Sequence, residues 1–294
     1  MAVMRSWLFV AGNDQEGLAH AINTGSDVLI LDLEDLVPPA EKPRAREMVR
    51  KNLELAGSTG SEVWVRVNSW ETDLTDLDLD ATVWPGLDGI NLTKVAGAED
   101  VKRLVWRLEA LERERGMEVG SVKICLLVET AIGIVNAYES CAADPRVVAA
   151  IFGAVDFTRD MQVKLTSEAT EQLYARSCLG VAARAAKILA IDAPFLDYKN
   201  IKGYEKNIAD GRQLGYKGRM IVHPDLVAIT NKLYMPAEED VKWAKEIVKA
   251  FEEEALAKGL AAIVVNDRLV DTPVYYNALD ILAAWAEIQA KKSK

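Results

Sequence analysis

The chain has 294 residues, 50% of them hydrophobic and 27% charged, with a formal net charge of -10. That balance suits an ordinary globular protein of one large domain or two small ones. It excludes a general nucleic-acid role, which calls for a basic face. No apolar run approaches the roughly 20 residues that cross a bilayer, so no membrane partner is expected.

The N-terminal stretch "MAVMRSWLFVAG" reads as a first strand, since it lacks a long apolar region and a cleavage site. Short β-branched and apolar runs then recur: "DVLILDLED" (27–35), "EVWVRVNS" (62–69), "GINLTKV" (89–95) and "VKICLLVET" (122–130). They continue with "VAAIFGAVDF" (148–157), "IDAPFLD" (191–197) and "RMIVHP" (219–224), which makes about eight strands in all. Helical segments separate them. In 98–116, Val101, Leu104, Val105, Leu108 and Leu111 fall on one helical face. Residues 71–86, "ETDLTDLDLDATVWPG", are charge-dense and are expected to be a solvated helix or loop.

Strands apolar on both sides and alternating with helices imply a parallel sheet covered on both faces. About eight such units predict an α/β fold, a (β/α)8 TIM barrel over residues 1–235. An open doubly wound sheet is the alternative, but no glycine-rich phosphate turn follows any strand. Pro236 opens a further helix, and residues 236–294 are expected to form a C-terminal helical extension, or lid, beyond the barrel. Cys125, Cys141 and Cys178 show no metal-ligand spacing and fit a reducing cytoplasm.

The active face of such a barrel lies at the C-terminal strand ends. The polar residues there are Asp32, Glu34 and Asp35, then Arg66 and Asn68, then Lys94, Glu129 and Asp156. An apolar run ending on an acid is what a strand looks like when its body fills the core and its tip meets substrate. Glu129 and Asp156, on neighbouring tips, can hold Mg²⁺, which keeps some waters and leaves room for substrate oxygens. The competing reading of Glu129 is a favourable charge at a helix N-terminus. Arg66 has a planar fork suited to a substrate carboxylate, or to an ion pair with Asp32, Glu34 or Asp35. Lys94 reads first as a rim salt bridge. His20 is expected on a peripheral helix, and His223 is expected to stabilise a turn. "DTP" at 271–273 is a good helix start, with Asp271 as cap.

Seven segments carry a resemblance: "RSWLFVAGN" (5–13), "LILDLEDLVPPAEKPRAR" (29–46), "VRVN" (65–68), "LLVETAIGIVNA" (126–137), "IFGAVDFTRDM" (151–161), "GYKGRMIVHP" (215–224) and "LVDTPVYYNA" (269–278). On these the chain resembles the citrate lyase β-subunit-like enzymes of the HpcH/HpaI aldolase superfamily, which include malyl-CoA and citramalyl-CoA lyases. The resemblance implies a Mg²⁺-dependent barrel, with Mn²⁺ as the alternative ion, that assembles as a homotrimer or homohexamer. It places the metal on Glu129 and Asp156 and the substrate carboxylate on Arg66, with Glu34 and Asp35 ordering metal waters and that arginine. It makes Asp271 a catalytic acid or base acting in a neighbouring subunit's site. Lys42, Arg44 and Arg46 are candidates for the phosphates of CoA, or else an exposed helix face. The chain departs from the family pattern at Ala11, at Arg219 and at the "NDR" of 266–268.

The activity this implies is reversible carbon–carbon cleavage of a carboxylated 3-hydroxyacyl-CoA to an acyl-CoA and a 2-oxo acid, glyoxylate or pyruvate. The alternatives are a malate-synthase-like or thioesterase activity, a free pyruvate aldolase, and a non-catalytic thioester-binding subunit. The aldolase is disfavoured because no histidine lies near Asp35.

Overall fold

A computed structural model describes residues 3–292. The chain divides into two compact units, a barrel of residues 4–231 and a C-terminal unit that begins at Lys232. Eight parallel strands close on themselves: β1 (Ser6–Ala11), β2 (Val28–Asp32), β3 (Glu62–Val67), β4 (Gly89–Leu92), β5 (Lys123–Val128), β6 (Val147–Phe152), β7 (Leu189–Asp192) and β8 (Gly218–Ile221). They pair in chain order, and β1 closes the ring on β8 with Trp7 opposite Met220. The expected (β/α)8 barrel is the fold observed.

The helices between strands are α1 (Gln15–Ala21), α2 (Lys42–Gly57), α3 (Thr75–Thr82), α4 (Ala98–Glu114), α5 (Ala131–Val135), α6 (Ala137–Cys141), α7 (Ala154–Asp160), α8 (Leu173–Ala185) and α9 (Ile201–Gln213); α10 (Leu226–Leu233) follows β8. Helix α4 buries Val101, Leu104, Leu108 and Leu111, the face its periodicity predicts. His20 lies exposed on α1.

Alternate strand residues fill the barrel as a packed core. Trp7, Phe9, Val28, Ile30, Trp64, Cys125, Leu127, Ile151 and Met220 belong to it. Trp7 and Trp64 meet at 5.1 Å between ring centroids. Gly89 makes room for them: a Cβ there would lie 2.5 Å from the Trp64 ring.

One element departs from expectation. Helix α3 is not a solvated segment, because Thr75, Asp78, Leu79 and Thr82 are buried. Asp78 explains the charge density. Its carboxylate accepts from Asn68 N at 2.8 Å and Asn68 Nδ2 at 2.6 Å, and from Arg46 Nε at 2.7 Å. An acid with that many donors belongs inside.

The C-terminal unit has its own core. Helix α11 (Glu238–Ala250) runs into a π-helical stretch, Phe251–Leu256, and is followed by the hairpin β9 (Ala262–Val265) and β10 (Arg268–Asp271), then by α12 (Thr272–Lys292). Ala244, Ile247, Phe251, Ala255, Ile263, Val270 and Ala278 pack together. The two turn residues, Asn266 and Asp267, have φ of 49° and 59°. Positive φ at both central positions is the tight hairpin geometry that Asn and Asp accept. Among the described residues, no helix is long and apolar enough to cross a membrane.

Candidate active site

The polar residues at the C-terminal ends of β2 to β5 form one connected network. Asp32 and Arg66 are register partners on β2 and β3. Arg66 Nε donates to Asp32 Oδ1 at 2.5 Å and Nη2 donates to Oδ2 at 2.6 Å. Both side chains are buried. Asp32 also accepts from the backbone N–H of Glu34 and of Leu36, each at 2.9 Å, which fixes the loop after β2. Of the two readings of Arg66 open in the sequence, the ion pair is the one observed, so two of the three nitrogens of the fork are already engaged. Nη1 lies 3.1 Å from Glu34 Oε2, an ion-pair distance without hydrogen-bond geometry. Burial works against the Arg66 charge, but Asp32, then Glu34 and Glu129, raise its pKa above the ordinary guanidinium value.

Lys42 requires a correction. It is 8% exposed, and its ammonium donates to Leu33 O at 2.7 Å, Glu34 O at 2.8 Å and Asn68 Oδ1 at 2.9 Å. Its three protons tie the loop after β2 to Asn68 at the end of β3, which leaves none for a phosphate. Burial lowers its pKa against the pull of Asp78, Asp32, Glu34 and Asp35. Arg46 is likewise turned inward, onto Asp78. Arg44 stays exposed and pairs weakly with Glu41 at 3.3 Å. Asp35 is exposed, in contrast to buried Glu34.

Glu129 directly follows β5, and Asp156 lies in the first turn of α7, just beyond β6. Strands β5 and β6 pair up to Val128 and Phe152, so the two acids rise from adjacent tips. Asp156 is displaced from the strand end into the helix, where an acid is also favoured by the N-terminal dipole. Thr130 caps α5 and Glu129 directly precedes it, so the acid stands beside that helix start without entering its first turn. Glu129 also lies across Gly153. A Cβ at that position would sit 2.5 Å from both Glu129 Cβ and Oε2.

Lys94 ties the network together. Its backbone N–H donates to Glu129 Oε1 at 3.1 Å, and its ammonium donates to Glu34 Oε1 at 2.5 Å. Its φ of 51° puts a non-glycine residue in the left-handed region, at a cost of about 1 kcal/mol or more. The rim salt bridge expected for Lys94 is present, with this second, backbone contact added. Burial lowers the Lys94 pKa, but the Glu34 hydrogen bond and the charges of Glu34, Glu129 and Asp156 raise it overall.

Glu129 is 3% exposed. Burial first, then the Glu34 and Asp156 carboxylates, push its pKa up to about 8, and Lys94 and Arg66 offset only part of that. Burial also raises Glu34. Burial and neighbouring carboxylates that Lys94 and Arg66 do not fully offset leave a carboxyl that a further cation would ionise. The buried Glu34 Oε2 has no hydrogen-bond partner. Both observations fit a divalent ion held by Glu129 and Asp156. Among the described residues, no group of three His, Cys, Asp or Glu side chains is arranged as a metal cluster. An ion here would take two protein carboxylates and complete its shell with water and substrate oxygens, as Mg²⁺ does.

Asp160 was not legible as part of this region. Its carboxylate accepts from Ala131 N at 2.7 Å and so anchors the turn after Glu129. It lies outside any motif of paired acids, and no periodicity points to it. His223 stacks on Tyr198 at 4.2 Å, and its Nδ1 accepts from Asp225 N at 3.4 Å, a turn contact of the expected kind. In the C-terminal unit, Asp271 Oδ1 accepts from Val274 N at 3.2 Å, the capping contact expected of "DTP".

Comparison with known proteins matches residues 5–224 to the HpcH/HpaI aldolase/citrate lyase family. The chain is 34% identical to the citrate lyase subunit beta of Leuconostoc mesenteroides subsp. cremoris over 278 residues, covering 95% of this chain and 92% of that one. It is 28% identical to the mitochondrial citramalyl-CoA lyase of Mus musculus over 300 residues, 98% of this chain and 87% of the other. Among solved structures, it resembles CitE from Mycobacterium tuberculosis in complex with magnesium, acetoacetate and coenzyme A. There the TM-score is 0.76, at 29% identity over 97% of this chain and 99% of that one. With a closed barrel, an acid-rich rim and relatives named as lyases along almost its whole length, the chain belongs to the HpcH/HpaI aldolase/citrate lyase family and is a lyase.

Proposed function

We propose that the chain is a Mg²⁺-dependent carbon–carbon lyase that cleaves, or forms, a carboxylated 3-hydroxyacyl-CoA such as malyl-CoA or citramalyl-CoA. The products of cleavage are an acyl-CoA and glyoxylate or pyruvate. The observation that carries this reading is the placement of buried Glu129 against Gly153, close enough to Asp156 and Glu34 for their charges to push its pKa up. The magnesium and coenzyme A bound by the M. tuberculosis relative support it.

Glu129 and Asp156 would hold the ion. When bound, it supplies Lewis-acid polarisation of the emerging carbonyl and charge stabilisation for the hydroxyl oxygen. Arg66 Nη1, the one nitrogen of the fork not engaged with Asp32, would receive the substrate carboxylate beside Glu34, while Asp32 holds the other two nitrogens. Glu34 holds Lys94 and faces Arg66, and Asp35, exposed on the same loop, would order water there. The hydroxyl proton passes to water, its oxygen becomes the carbonyl of the 2-oxo acid, and the bond between that carbon and the thioester α-carbon breaks with its electron pair left on the thioester as an enolate. Asp271 protonates that α-carbon as general acid, and removes the proton in the condensation direction. We assign this role across a subunit boundary in a homotrimer or homohexamer. Arg44, exposed on α2, is the cation offered to the CoA phosphates. The three free cysteines accord with a reducing cytoplasm.

The test is a panel of malyl-, methylmalyl- and citramalyl-CoA incubated with the purified chain in Mg²⁺ and in EDTA. Released 2-oxo acid in Mg²⁺ alone is the expected result. Thioester hydrolysis without any 2-oxo acid, or cleavage unaffected by EDTA, overturns the reading.

A further inference from the structure

We infer that Lys94 is a positioning residue that sets the balance between cation and anion binding in this site, weakening the metal so that an anionic substrate can enter. The inference rests on the metal reading of Glu129 and Asp156 given above.

Three carboxylates, Glu34, Glu129 and Asp156, lie within electrostatic reach of the Lys94 ammonium. The other cation of the site, Arg66, is bound by two nitrogens to Asp32. Lys94 is therefore the second cation facing these three acids, and it is paired directly with Glu34. Its ammonium is held by Glu34 Oε1 at 2.5 Å, and its side chain is 23% exposed, so it faces the opening of the site. Its backbone amide meanwhile holds Glu129 Oε1. One residue thus touches both the acid that would bind the metal and the acid beside it.

With a divalent ion between Glu129 and Asp156, Lys94 is left to neutralise Glu34. The second oxygen of Glu34 is buried and faces Arg66 Nη1 at 3.1 Å without a hydrogen bond. Remove the lysine charge, and a carboxylate held by that contact alone stands where the substrate carboxylate must arrive. It would attract the metal and repel the acid, and both effects are strong in a partly buried site. A purely structural lysine would act differently: its loss would slacken the site and weaken both ligands together.

The experiment is calorimetric titration of the full chain with Mg²⁺, then of the Mg²⁺-saturated protein with glyoxylate and with pyruvate, in the unaltered chain, Lys94→Met and Lys94→Arg. For Lys94→Met the Mg²⁺ Kd is expected to fall about tenfold and the oxo-acid Kd to rise by about tenfold or more. Lys94→Arg, which keeps the charge, is expected to stay within about threefold of the unaltered chain for both. Weakening of both ligands in Lys94→Met, or no change in either, overturns the inference. Should Lys94→Met fail to fold, Lys94→Gln is judged by the same two outcomes. Failure of the unaltered chain to bind Mg²⁺ overturns the metal reading as well; Mg²⁺ binding that Lys94→Met leaves unchanged overturns the role of Lys94 alone.

Discussion

Glu129 occupies the space a side chain at Gly153 would need: a Cβ there would come within 2.5 Å of Glu129 Oε2. Glycine at 153 is thus required by the acid at the tip of the neighbouring strand β5 and not by its own backbone, whose φ of -96° suits any residue.

Gly153→Ala should displace Glu129 without unfolding the barrel. Overpacking of this kind costs about 1–3 kcal/mol. The Mg²⁺ Kd is expected to rise by about tenfold or more, measured by calorimetry, with the far-UV circular dichroism spectrum unchanged.

The pH dependence follows from Glu129. Its folded pKa, raised to about 8, lies above its unfolded value. Between roughly pH 4.5 and 8 the folded state therefore binds more protons than the unfolded state, so stability falls as pH rises through that window. A divalent ion needs the ionised carboxylate, so Mg²⁺ binding below about pH 8 should release a proton. Denaturation midpoints of the metal-free protein from pH 5 to 8, and the buffer dependence of the Mg²⁺ binding enthalpy, check both statements. A metal-free midpoint that climbs across this range would contradict the burial of Glu129.

Arg66→Gln should be strongly destabilising. It leaves Asp32 buried and without its bidentate partner, and breaking a buried pair in this way costs about 3–5 kcal/mol. The urea midpoint should drop accordingly. The double variant Arg66→Gln/Asp32→Asn should regain part of the loss without regaining oxo-acid binding.

Asp271→Asn separates the cap from the acid. Asparagine caps a helix about as well as aspartate, so the stability change should stay within about 0.5 kcal/mol. Proton exchange at the thioester α-carbon should be abolished, while Mg²⁺ affinity remains. Asp271→Ala, which also loses the cap, should be destabilised by about 1 kcal/mol in addition. Full turnover by Asp271→Asn would remove this residue from the chemistry.

The barrel was legible because its strands are apolar on both faces and its helices periodic; Val101, Leu104, Leu108 and Leu111 are buried as their spacing requires. Segment 71–86 misled because charge was read as exposure, whereas Asp78 is an internal acceptor for Asn68 and Arg46. Lys42 misled for the same reason. A lysine early in an amphipathic helix looks solvated, and only the fold brings Leu33 O, Glu34 O and Asn68 Oδ1 around it. Strand-end acids announced Glu129 and Asp156. The Lys94 amide on Glu129, and Asp160 on Ala131, are tertiary contacts between segments 29 to 35 residues apart that no local pattern encodes.

The Trp7–Trp64 pair gives the molecule a built-in optical reporter. Two indoles 5.1 Å apart with planes inclined at 58° are close enough for their excited states to couple. They come from β1 and β3, so the coupled signal exists only while the ring of strands stays shut. Trp243, in the separate C-terminal core, lies under Arg268 and has no part in that signal. Loss of the coupled signal therefore reports the opening of the barrel, whatever the C-terminal unit does.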